Sequence, residues 1–171
     1  MANYFLDASA LVKYYVTEPG STWVRRLIDG EDPVTGRPLH FMLVAEITRV
    51  EVAAGIAVIE RMGRIRKRER QREYDRFISQ LVHRFVVITL SGEVLEEAAD
   101  LTQHHPLKAY DAVQLAVALR QNRALATVRQ SLIFVSGDKT LLTAAKAEGL
   151  AVDNPFDHVS PQDTPTASSI S

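Results

Sequence analysis

A chain of 171 residues, 46% apolar and 24% charged, has the makings of one packed domain. Its formal charge of -1 and isoelectric point near 6.5 exclude a generally basic nucleic-acid binder, so any contact with RNA or DNA must rest on a local patch. The absence of cysteine excludes disulfides and thiolate metal sites, leaving oxygen or imidazole as metal ligands.

The amino terminus, MANYFLDAS, enters a strand-like run at once, with no basic region and long apolar stretch of the secretory kind. No segment reaches the roughly 18 consecutive apolar residues of a membrane span, so a cytoplasmic protein without a membrane partner is expected. Tyr4 to Leu6 form a short apolar strand ending in Asp7, and Ser9 is placed to cap a helix carrying Leu11, Val12, Tyr15 and Val16. Glu18-Pro19-Gly20 breaks that helix, and Ser21 can cap the next, where Trp23, Leu27 and Ile28 recur at helical spacing. Residues 30–38, with two glycines and two prolines, read as a loop.

A second apolar run, residues 40–44, precedes a helix in which Ile47, Val50, Ala54 and Val58 keep helical spacing and Glu51 lies beside Val50. A third helix is expected over 66–84, its inward residues Tyr74, Phe77, Ile78 and Leu81, followed by a β-branched strand over 85–88. Helices over 92–104 and 108–121 flank His105-Pro106. A buried-type strand over 131–135 ends in Ser136-Gly137-Asp138, and Asp138 can cap a helix over 139–148 that Gly149 stops. Residues 151–153 add a possible edge strand, after which the serine-, threonine- and proline-rich remainder reads as a flexible tail. The alternation predicts an α/β fold with a parallel sheet covered on both faces, in a domain spanning 1–155 with a tail over 156–171.

Asp7, Glu51, Asp111 and Asp138 all stand where apolar runs give way to helices. In an open parallel sheet, ligands collect beyond the carboxyl ends of the strands, which would put Asp7 and Asp138 on one rim. Each acid alone has a plainer role. Asp7 and Asp138 can be helix caps, Asp111 gains roughly 0.3–1 kcal/mol from a helix dipole, and Glu51 can sit in a surface ion pair. Brought together, however, four carboxylates would repel, and the folded chain must protonate some of them or bind a hard cation such as magnesium. Ser9 and Ser136, each two residues from an acid, can hold a water or phosphate oxygen or act as caps.

Residues 61–72 hold seven basic side chains, Arg61, Arg64, Arg66, Lys67, Arg68, Arg70 and Arg72, against the single acid Glu69. Such a cluster suits a phosphate backbone, an acidic partner protein or simply solvent. The five histidines show no HExxH spacing, and there is no Walker A, GxGxxG or GxSxG motif.

The segments FLDASALVKYYVTEPGS, AEITRVEVAAG, LKAYDAVQLAVALR and FVSGDKTLLTAAKAEGLAVDNP, in that order, resemble PIN-domain proteins of the VapC type, the toxin ribonucleases of bacterial toxin-antitoxin modules. The resemblance runs from about Tyr4 to Pro155. It implies a PIN-like three-layer α/β/α sandwich with a central parallel sheet, commonly dimeric. Asp7, Glu51, Asp111 and Asp138 take the places of the family's four acids, which bind magnesium or manganese around a water that attacks RNA. The implied partners are an RNA substrate and a small cognate antitoxin whose tail enters the acidic groove. Ser9 matches a position that is often a hydroxyl. The chain departs from the family pattern at Ala45, where relatives often carry a capping hydroxyl, and Glu46 is expected to meet the helix dipole rather than replace Glu51.

Two other functions remain compatible with the residues. An aspartate after the first strand and a late Gly-Asp also occur in haloacid-dehalogenase-like phosphatases, although Ser9 stands where that chemistry needs a second aspartate. A catalytically silent PIN module would use the basic patch, with Arg61, Arg64, Arg66, Lys67 and Arg68, to hold RNA or a partner protein.

Overall fold

In a computed structural model, which describes residues 1–160, strand β1 (Asn3–Leu6) is buried along its whole length, and its side chains alternate between two cores. Tyr4 and Leu6 enter one core, while Phe5 enters the other. Four more strands flank it: β2 (Phe41–Ala45), β3 (Val86–Ile88), β4 (Leu132–Val135) and β5 (Ala151–Asp153). The order is β3-β2-β1-β4-β5, and every pairing is parallel.

Helices α1 (Ala8–Tyr15), α2 (Ser21–Asp29), α3 (Thr48–Arg61) and α4 (Lys67–His83) cover one face, with Leu11, Trp23, Ile56 and Phe77 packed against Tyr4, Leu6 and Val44. Helices α5 (Gly92–His104), α6 (Ala109–Ala126) and α7 (Lys139–Ala147) cover the other, with Leu101, Leu115 and Leu141 against Phe5, Leu43 and Phe134. The strand order explains the division. The chain first steps from β1 toward β3, then returns to β4 and steps the opposite way, and right-handed crossovers must change face when the direction reverses. That reversal opens a crevice between the carboxyl ends of β1 and β4, the position where this class of sheet receives ligands. The architecture is the expected three-layer sandwich. Among the described residues no helix is long and apolar enough to cross a membrane.

Three local expectations are corrected. Asp7, not Ser9, caps α1, accepting the Ala10 amide at 2.9 Å. Helix α3 buries Thr48, Val52, Ile56 and Ile59, leaving Val50 60% and Val58 43% exposed. Apolar residues occur on both sides of VEVAAGIAVI, so periodicity alone selects neither stripe, and the sheet receives the one containing both isoleucines.

Finally, ordered structure continues beyond Pro155. Pro155–Asp157 form a 3-10 turn capped by Asn154, and His158 stacks on Trp23 with centroids 4.3 Å apart while pairing with Asp153 at 2.6 Å. A short aliphatic-poor segment is held here by aromatic stacking, which a count of aliphatic residues overlooks. The rest of the expected tail, 161–171, lies outside the described residues.

Gly20 makes this closure possible. It takes φ +86° to turn the chain into α2, and a Cβ there would run into the Pro155 carbonyl. Gly20→Ala is therefore expected to destabilise the protein by at least about 1–3 kcal/mol, read as a lower urea midpoint. An unchanged midpoint would show that the Pro155 turn does not pack against α2 as described.

Candidate active site

The four acids reach the crevice from separate elements. Asp7 follows β1 directly, and its amide donates to the Val135 carbonyl at the end of β4. Asp138 lies three residues past β4 and caps α7, accepting from Thr140 and Leu141 through Oδ1. Glu51 and Asp111 sit in the first turns of α3 and α6. All four line one open cleft of about 250 Å³, together with Ala8, Ser9, Val12 and Gly55. A larger cavity of about 600 Å³ opens at the amino ends of β2 and β3, but among the described residues Glu31 is the only carboxylate on its wall. Converging acids, not volume, mark the place for chemistry.

Asp7 is only 4% exposed, and both of its oxygens are engaged. Ser9 donates to it at 2.8 Å, and Ser136 donates to Oδ2 at 3.0 Å. Each serine also accepts an amide from the loop after β4, Ser9 from Gly137 at 2.8 Å and Ser136 from Asp138 at 2.9 Å. The two hydroxyls thus tie the Asp7 carboxylate to the loop that carries Asp138. Their geometry is that of clamps on Asp7; neither caps a helix.

Burial dominates the electrostatics. It pushes the Asp7 carboxyl up to about 6, against the lowering effect of its hydrogen bonds from Ala10, Ser9 and Ser136. Burial also lifts Glu51 to about 7; a bond from Gln114 opposes this, and the charges of Asp7 and Asp111 add to it. Asp111 is raised as well, by burial first and then by Asp138, with Lys108 pulling the other way. The cleft lining carries four carboxylates and no cationic side chain. Among the described residues, no three acids or imidazoles are close enough to grip one ion together. The two observations are compatible: like charges without a counter-charge stand apart, and magnesium keeps several waters while using only one or two carboxylates directly. An all-oxygen, uncompensated acidic cleft fits a hard divalent cation.

Two polar residues of the site were not anticipated. Thr48 and Gln114 are almost fully buried, and the Gln114 amide donates to Thr48 Oγ1 at 2.8 Å and to Glu51 Oε2 at 2.6 Å. A signal existed: Gln114 interrupts the apolar run after Asp111 at the i+3 position, on the same helix face. Glu46 stays out of the cleft. It accepts the Leu90 amide at 3.3 Å beyond β3, from the position just before the α3 N-cap Ile47. Helix α3 begins at the N-cap Ile47 without a side-chain cap, and Ala45 lies two residues earlier, at the end of β2.

The family model described as PIN domain matches residues 4–133. The chain belongs to the PIN-domain family. Two relatives, Ribonuclease VapC45 and Ribonuclease VapC49 of Mycobacterium tuberculosis, are each 30% identical over 155 residues, covering 89% of this chain and 95% of theirs. The PIN fold recurs in solved structures. FitAcB from Neisseria gonorrhoeae superposes with a TM-score of 0.61 at 17% identity, covering 90% of this chain and 98% of that one. A toxin-antitoxin complex from Klebsiella pneumoniae gives 0.56 at 19% identity, covering 90% and 98%.

As a PIN domain, the chain is not the phosphatase considered from sequence. The place of a second aspartate is taken by Ser9, which donates to Asp7.

Proposed function

We propose that this PIN domain is a magnesium- or manganese-dependent endoribonuclease and the toxin half of a toxin-antitoxin pair. The observation that carries the reading is the convergence of Asp7, Glu51, Asp111 and Asp138 on one cleft without a cationic side chain. The relatives named as VapC ribonucleases and the toxin-antitoxin complex of the same fold support it. One or two of these acids would hold the ion directly, with the others balancing its charge, and the ion when bound polarises a phosphodiester oxygen and acidifies a water. Ser9 and Ser136 orient the Asp7 carboxylate toward that role, and burial keeps competing solvent from its oxygens.

The substrate is RNA, and the turn joining α3 to α4 is its approach surface. Of the basic cluster, Arg64 is paired with Glu18, Arg70 with Glu60 and Arg72 with Glu73. Among the described residues, Arg61, Arg66, Lys67 and Arg68 have no such acidic partner, and Arg61 lies about 15 Å along α3 from Glu51 at 1.5 Å per residue. Reversing two of these charges, Lys67→Glu with Arg68→Glu, is expected to raise KM for RNA several-fold and flatten its salt dependence, leaving kcat unchanged. Equal KM for the reversed and original proteins would remove this turn from the RNA path. Val50, Val58 and Met62, exposed on α3, are an apolar stripe suited to the antitoxin or to a second copy of the chain.

The test is cleavage of single-stranded RNA by the purified chain, with and without magnesium. Undiminished cleavage in EDTA would rule the proposal out, and no cleavage under any metal would leave a silent binding module in its place.

A further inference from the structure

Gln114 is 1% exposed in a stretch of α6 where Ala112, Leu115, Ala116 and Val117 are all buried. A methionine would fill this place without the cost of desolvating an amide. The amide spends both of its N–H bonds on α3, one on Thr48 and one on Glu51, residues three apart on the same face of that helix. Its carbonyl oxygen Oε1 is buried and has no partner among the described residues. Leaving a buried acceptor unpaired costs roughly 1–3 kcal/mol. The orientation is nonetheless dictated by Glu51, because an ionised carboxylate only accepts, so the NH2 group must face it. Stability is given up here to hold one carboxylate.

Gln114 also sits one turn beyond Asp111 on the same helix face, so a single element presents one acid to the cleft and braces another. The bond takes Glu51 Oε2; no protein donor among the described residues is recorded on Oε1. We propose that Gln114 is a positioning residue, holding Glu51 against Thr48 in the orientation in which the α3 carboxylate serves the cleft. This rests on the nuclease reading of the site. Partners that orient ligating carboxylates commonly contribute about 10- to 100-fold to metal affinity or activity.

The test is a double-mutant cycle on the full chain, with manganese alone as the probe and calorimetric affinity as the readout, alongside melting curves of the metal-free proteins. Gln114→Met is expected to weaken manganese binding by about 10- to 100-fold, while in the metal-free protein the gain from removing an orphaned carbonyl offsets the lost partner of the buried Thr48 hydroxyl and leaves the melting temperature little changed. In a Glu51→Gln background the same change is expected to have no further effect on affinity. Should Gln114→Met fold poorly, Gln114→Asn, which keeps the amide but loses one methylene of reach, is expected to show the same background-dependent loss. An equal loss in both backgrounds would make Gln114 a merely structural residue and overturn the proposal, as would unchanged affinity in the otherwise native chain. If Glu51→Gln itself leaves manganese affinity intact, the nuclease site as assigned fails, and the positioning role falls with it.

Discussion

Asp111→Asn is expected to lower RNA cleavage by about 10³-fold or more while the protein stays folded, and Asp7→Asn is expected to do the same. Metal assistance is worth several kcal/mol in the transition state, and about 4 kcal/mol corresponds to that factor. Asparagine keeps the shape of aspartate but offers no charge to a cation. The two positions differ in a way that sharpens the test. Asp111 does not cap a following helix through its amides as Asp7 and Asp138 do; it accepts the Lys108 amide at the start of α6, a bond that the asparagine Oδ1 can still accept. Its carboxyl is already raised by burial and by Asp138, so neutralising it relieves repulsion. Metal-free Asp111→Asn should therefore melt no lower than the parent. A marked fall in melting temperature, with cleavage preserved, would make Asp111 a structural residue.

The second large effect is a metal-free stability that falls as pH rises from about 4 to 7, the reverse of ordinary acid denaturation. Asp7 titrates near 3.8 in an unfolded chain and near 6 when folded, so the folded state binds its proton more tightly. Its contribution is whole below about pH 4 and lost as pH rises through 6; Glu51, moved from 4.5 to about 7, extends the loss to that pH. For Asp7 alone the difference amounts to about 3 kcal/mol, or roughly 6–12 °C in melting temperature for a chain of this size. His40 opposes the trend, because burial and the nearby amino terminus hold its ring below 6.5. The comparison is therefore made against Asp7→Asn, in which the Asp7 share of the slope between pH 4 and 6 is expected to be lost while the Glu51 share, from about 4.5 to 7, remains. At pH 8, magnesium or manganese at a hundred times its Kd should restore about 2.7 kcal/mol. A melting temperature indifferent to both pH and metal would mean that Asp7 and Glu51 are not buried in the cleft as described.

Much of this was legible in the sequence, for identifiable reasons. The parallel sheet could be read from short β-branched runs separated by helices, because buried strands leave that signature whatever their neighbours. Asp138 could be read as a helix cap, since the cap is a local event of three residues. The failures were not local. Whether Ser9 caps a helix or clamps Asp7 depends on the distant Gly137 amide and Ser136, 127 residues away. The buried face of α3 was decided by the sheet it meets, and both of its stripes were apolar. Gln114 was passed over because a lone glutamine in an apolar helix has no meaning until Thr48 and Glu51 arrive opposite it.

The pairing of Leu6 with Val135 spans almost the entire polypeptide. Asp7 precedes its companions at positions 111 and 138 by more than a hundred residues, so a chain cut before Asp111 has nothing with which to complete the cleft. Whatever reaction occurs there belongs to finished molecules alone, and a cell translating this message is spared a half-made enzyme.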